Sequence, residues 1–121
     1  LNVSGPFHSR LMQPASEEFA NHLHNVTFHD ANIPVYANVT AQSVKDKETI
    51  KQLLIEQLYS PVQFEASIRN MLKEDVSAFI EVGTGNVLCG LVKKIDRNVK
   101  TFAVQDPDSL ATFISWYKEE E

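Results

Sequence analysis

The second half of this chain alternates short apolar runs with amphipathic stretches, and that order restricts the fold severely. Val76 to Val82 is an apolar, β-prone run, followed by Gly83-Thr84-Gly85, a turn signal. Asn86 to Ile95 then carries Val87, Leu88, Leu91, Val92 and Ile95 at helical spacing, with Asn86 placed to cap. Val99 to Val104 is a second strand, and Asp106-Pro107 opens a last helix with Leu110, Phe113, Ile114 and Tyr117 on its inner face. Lys118 to Glu121 reads as a solvated tail. Strand, helix, strand in this order predicts parallel pairing through a right-handed crossover, an α/β fold.

The first half continues the alternation. Helical spacing from about Ser9 to Asn25 puts Met12, Ala15, Phe19, Ala20 and Leu23 on one stripe, and Pro14 is tolerated if it falls in the first turn. Ile33 to Thr40 reads as a strand carrying Val35, Tyr36 and Val39. A polar connection leads to a helix from about Asp46 to Leu58. Ser60-Pro61-Val62-Gln63 then predicts a new helix running to about Lys73: Ser60 caps, Pro61 takes the first helical position and Gln63 reaches back.

With 121 residues, 43% hydrophobic and 22% charged, the chain suits one modest core, so residues 1–121 are expected to form one domain or part of one. No apolar run is long enough to span a bilayer and no signal peptide is visible, although the chain opens on Leu1 rather than Met, which leaves an upstream segment open. The single cysteine, Cys89, excludes an internal disulfide framework and fits a reducing, cytoplasmic setting. Without a secretory signal, the Asn-x-Ser/Thr triplets at Asn2, Asn25 and Asn38 read as chance. A net charge of −5 argues against general nucleic-acid binding.

Two residues stand out chemically. His8 follows the break of an extended run at Gly5-Pro6, which places its imidazole at a strand end, where α/β folds gather their ligand-handling groups. Gln57 lies on or beside the apolar stripe formed by Ile50, Leu53, Leu54 and Leu58, in a helix that must stop near Tyr59 because Ser60-Pro61 starts another. The last carbonyls of a helix have no partner within it, and an imidazole N–H suits them. Such a bond would fix the tautomer of His8 and leave its other nitrogen as a base, as a carboxylate does in a Ser-His-Asp triad. The alternatives are a surface histidine with one hydrogen bond and a helix end bonded to water. His22, His24 and His29 lack the spacing of metal ligands. Gly83-Thr84-Gly85 lacks the third glycine of a nucleotide loop.

Three blocks carry a family resemblance: Gly5-Pro6-Phe7-His8-Ser9-Arg10-Leu11-Met12-Gln13-Pro14, Gln57-Leu58-Tyr59-Ser60-Pro61-Val62-Gln63-Phe64, and Glu81-Val82-Gly83-Thr84-Gly85-Asn86-Val87-Leu88-Cys89-Gly90-Leu91. In this order they resemble the malonyl-CoA:acyl carrier protein transacylase family, the FabD-type acyltransferases of fatty-acid biosynthesis. The resemblance implies the C-terminal part of a parallel-sheet, α/β-hydrolase-like core. The inserted ferredoxin-like subdomain and the half with the nucleophile are absent, for no Gly-x-Ser-x-Gly occurs in the chain.

By resemblance, His8 corresponds to the general base and Gln57 to the residue whose main-chain carbonyl orients it. The implied reaction moves a malonyl group from coenzyme A to the phosphopantetheine thiol of acyl carrier protein. It uses no metal and no bound cofactor, and this segment alone is expected to be inactive. Phe7, an aromatic residue just before the histidine, leans towards malonyl over methylmalonyl, with a core or lid role as the alternative. Lys93, Lys94, Arg97 and Lys100 form the dense basic cluster that could meet an acidic carrier protein, or a solvated helix end. A polyketide synthase acyltransferase, a serine hydrolase on the same fold and a non-catalytic interaction module are the competing functions.

Overall fold

The structure, a computed structural model, describes residues 5–120. The extended run over residues 1–4, the Asn2 triplet and Glu121 lie outside the described residues. Two compact units divide between Asn70 and Met71.

In the first unit a 3₁₀ turn, Arg10–Met12, leads into helix α1, Gln13–Leu23, with Pro14 in its first turn, where a missing N–H costs nothing. Its inward stripe departs from the prediction at one position. Ala15 is exposed, and Ser16 is buried with Oγ donating to the Gln13 carbonyl at 2.6 Å. A hydroxyl bonded to the preceding turn can be buried without an orphaned polar group.

The predicted strand at Ile33 to Thr40 requires correction. Only Val35–Tyr36 (β1) is extended, and it pairs antiparallel with Ser43–Val44 (β2), Val35 opposite Val44 and Tyr36 opposite Ser43. The chain turns at residues 38–40, and Ala41, almost fully buried, adopts a left-handed φ of 59°. The Ala41 N–H donates to the Ala37 carbonyl at 2.8 Å, and its carbonyl accepts from Asn70 Nδ2 at 2.7 Å. Apolar pattern favoured a strand through Val39, but those turn bonds make a hairpin outside the parallel sheet.

Helix α2, Lys47–Glu56, begins at Asp46, whose carboxylate accepts the Thr49 N–H and hydroxyl, both at 2.8 Å. It ends in a second 3₁₀ turn, Gln57–Tyr59, and α1 packs against both. The predicted helix start at Ser60 also fails: Ser60 is extended and helix α3 spans Phe64–Lys73. Gln63 does not reach back to Ser60. Its N–H donates to the Asn38 carbonyl at 2.9 Å and its Nε2 to the Val39 carbonyl, so the β1–β2 loop takes the bonds a capping box would have used.

The second unit follows the predicted alternation. Strands β3, Ala78–Val82, and β4, Lys100–Val104, pair in parallel from Ala78 opposite Lys100 to Val82 opposite Val104. Helix α4, Val87–Ile95, makes the crossover and packs on both strands, and α5, Pro107–Glu120, packs on β4. Its inner face is Phe113 and Trp116, whose rings lie 5.6 and 4.9 Å from that of Phe102. Leu110, Ile114 and Tyr117, predicted to point inward, are exposed, as are Val87 and Leu88 on α4. A sheet two strands wide cannot cover whole helix faces. Lys118 is a turn of α5 rather than the start of a tail. Among the described residues, no helix is long and apolar enough to cross a membrane.

Hydrogen bonds from the Thr49 and Ser109 N–H groups hold the Asp46 and Asp106 carboxyls below the usual carboxylate range. A carboxyl whose folded value is depressed stabilises fully above its unfolded value, about 3.9, and loses that contribution as pH falls through the folded value. Circular-dichroism melts should therefore show Tm falling below about pH 4. Asp46→Ala should lower Tm near pH ~7 and flatten that acid limb. An acid limb unchanged in both Asp46→Ala and Asp106→Ala would contradict this origin.

Candidate active site

The backbone around His8 is unusual before any partner is considered. Ser9 Oγ donates to the Pro6 carbonyl at 2.6 Å, closing the turn that follows Gly5-Pro6, and His8 within it has a left-handed φ of 62°. A non-glycine residue there is held by its surroundings at some energetic cost. The 3₁₀ turn Gln57–Tyr59 supplies the hold. The His8 N–H donates to the Leu58 carbonyl at 3.2 Å, and Nδ1 lies 2.8 Å from the Gln57 carbonyl oxygen. A carbonyl oxygen only accepts, so Nδ1 carries the hydrogen and the neutral ring keeps its lone pair on Nε2. His8 is exposed in this chain.

Gln57 is half-buried, and its Oε1 accepts from Asn38 Nδ2 at 3.1 Å. The sequence shows a polar residue beside an apolar stripe but does not show its partner. In the sequence Asn38 stands out only as part of an Asn-x-Thr triplet. A half-buried amide needs hydrogen bonds, which was the available signal. Only the hairpin at β1–β2 decides which side chain provides them.

The remaining candidates divide. Phe7 is 54% exposed in this chain, and its ring folds back over Gly5, where an added Cβ would meet it at 2.9 Å. Lys93 is committed to the backbone, Nζ donating to the carbonyls of Arg97, at 3.3 Å, and Val99. Lys94, Arg97 and Lys100 are exposed. His22 lies 3.9 Å from Glu18, His24 faces Lys51, and no three His, Cys, Asp or Glu side chains cluster as metal ligands among the described residues.

At α4 the predicted cap is replaced. Asn86 makes no side-chain bond to the helix, whereas Glu81 on β3 accepts the Cys89 N–H at 2.9 Å, answering an N-terminal donor from the neighbouring strand. Gly83 and Gly85, with φ of 136° and 86°, carry the intervening turn, and the Gly85 N–H donates to Gln105 Oε1 at 3.0 Å. Burial, and then the Glu81 carboxylate, push the Cys89 thiol up.

The Gln57 carbonyl holds the His8 Nδ1–H as a carboxylate does in a Ser-His-Asp triad. No family model matches the chain. It is 52% identical over 120 residues to the malonyl CoA-acyl carrier protein transacylase of Bacillus subtilis (strain 168), a match covering 99% of this chain and 38% of that protein. The transacylase structure from Clostridium perfringens superposes with a TM-score of 0.91 at 37% identity, over 99% of this chain and 38% of the other. A malonyl-transacylase solved in complex with a type II PKS acyl-carrier protein superposes at 0.86 and 36% identity, over 93% and 36%. The close homologues of this chain are thus malonyl CoA-acyl carrier protein transacylases, and its parallel sheet with helices is the fold of the matching part. The chain spans little more than a third of the length of those relatives.

Alkylation of Cys89 by iodoacetamide should be slow at about pH 8, since the thiolate is the reactive form. Glu81→Gln removes the neighbouring negative charge and should speed it several-fold, ~3 to 10. An equal or slower rate in the variant would show that Glu81 does not hold the proton on Cys89.

Proposed function

We propose that this chain works as part of a longer acyltransferase, in which residues 1–121 are a segment of the core domain and His8 is the general base. Its reaction is transfer of a malonyl group from coenzyme A to the phosphopantetheine thiol of acyl carrier protein. The observation that carries the reading is the 2.8 Å approach of His8 Nδ1 to the Gln57 carbonyl, in a chain half identical to malonyl transacylases.

His8 Nε2 takes the proton of a serine hydroxyl, supplied by the rest of the enzyme, as its oxygen attacks the malonyl thioester carbonyl. The tetrahedral intermediate expels the coenzyme A thiolate, which receives the proton from Nε2. In the second half His8 takes the proton of the carrier thiol, whose sulfur attacks the serine ester, and returns it to the serine oxygen. Throughout, the Gln57 carbonyl keeps Nδ1–H in place and faces the positive charge that builds on the ring. The bond changes need no cofactor beyond the two thiol substrates, and the setting is the cytoplasm.

The carrier protein as partner is supported by the solved complex of a related transacylase with its acyl-carrier protein. That complex also favours a second reading, in which the carrier serves polyketide rather than fatty-acid synthesis. Lys94, Arg97 and Lys100 offer the exposed positive charge to meet an acidic carrier, with Lys93 shaping the loop beneath them, and Phe7 borders the acyl site beside His8.

In the full-length enzyme, His8→Asn should cut kcat about 10²–10⁴-fold with the fold retained, because asparagine tolerates the left-handed backbone. Steady-state transfer rates retained within about threefold would remove His8 as the base. Charge reversal at Lys94 and Arg97 should raise KM for the carrier protein several-fold, ~3 to 10, at low salt, leaving KM for malonyl-CoA unchanged. An unchanged carrier KM would exclude this surface.

A further inference from the structure

We infer that Asn38 is a positioning residue for His8, acting through Gln57, an inference that rests on the reading of His8 as the general base. The linkage is continuous: Asn38 Nδ2 donates to Gln57 Oε1 at 3.1 Å, and the main-chain carbonyl of the same Gln57 lies 2.8 Å from His8 Nδ1. Asn38 is itself fixed, since its own carbonyl accepts the Gln63 N–H at 2.9 Å and the next carbonyl accepts Gln63 Nε2.

The need for such a brace follows from where the acceptor sits. Gln57 is the first residue of a single 3₁₀ turn at the end of α2, a geometry with poorer hydrogen bonds and little resistance to rearrangement. The same turn holds His8 in the left-handed region, so any loosening lets the backbone relax and swings the ring. A cavity of 170 Å³ lies beside the pair, lined by Tyr36, Asn38, Leu53, Leu54 and Gln57 among others. The turn therefore has room to shift inward, and the Asn38 amide opposes the shift by holding the Gln57 side chain at the cavity wall. Asn38 touches no reacting atom in this scheme. It sets how often Nδ1–H points at its carbonyl and Nε2 is ready for a proton.

The test uses the full-length enzyme with ¹⁵N-labelled histidine, and the variants Asn38→Ala, Gln57→Ala and their combination. In the parent, ring ¹⁵N shifts should report the Nδ1–H tautomer of His8. Asn38→Ala should mix the two tautomers and lower kcat about tenfold, a fraction of the full general-base contribution, with KM for malonyl-CoA within about twofold. Because Asn38 acts through the Gln57 side chain, the double variant should be no worse than Gln57→Ala alone. A single Nδ1–H tautomer retained in Asn38→Ala, or losses that multiply in the double variant, would overturn the inference. If the parent transfers no malonyl group, the proposed function fails, while the tautomer measurement still decides the role of Asn38.

Discussion

The carbonyl groups at the end of α2 are the constraint around which the first unit is organised. A helix must leave its last acceptors unsatisfied, and water usually takes them. Here the chain that turns after Gly5-Pro6 takes two: the His8 N–H goes to Leu58 and the ring to Gln57. Using both bonds forces His8 into a left-handed backbone, and the Ser9 hydroxyl on the Pro6 carbonyl secures the turn that permits it. One helix end thereby sets the conformation of a segment about fifty residues away in sequence and fixes which nitrogen of an imidazole carries hydrogen.

Much of this was legible in the sequence, and the failures have physical causes. The second unit came through because parallel pairing depends on apolar runs and crossover length, which are local properties. The acceptor at Gln57 was legible because Ser60-Pro61 forces α2 to stop. What misled were residues whose polar groups are satisfied from a distance. Gln63 carries a capping signal yet spends it on the Asn38–Val39 loop, so α3 starts three residues late. Asn86 looks like a cap, but Glu81 on the adjacent strand answers α4 instead. The Ile33–Thr40 run reads as a strand, but only Val35–Tyr36 is extended, a two-residue hairpin arm closed by the buried Ala41. Asn38 was invisible as a functional residue because its partner lies nineteen positions on, across a fold not yet formed.

Burial is thin for a chain of this size. Among the described residues the buried hydrophobic positions are Leu23, Ala41, Ile68, Val92 and Val99, while Val82, Ile33 and Leu11 are each more than three-quarters exposed. Parallel strands normally lie inside wider sheets covered on both faces, and β3–β4 with helices showing apolar side chains has the look of a sheet's portion. That accords with a match to about 38% of the Bacillus subtilis protein and with the proposal of a longer enzyme.

The cap that Glu81 provides has a chemical corollary under the proposed malonyl transfer, whose acyl donor is a thioester. Any ionised sulfur on the protein would compete with the intended acceptor, since thiolates exchange acyl groups readily. The thiol of Cys89, the one cysteine of the chain, is pushed up by its burial and by the carboxylate that anchors its own amide. On the proposed reaction, the contact that starts a helix would also disfavour acyl transfer to Cys89.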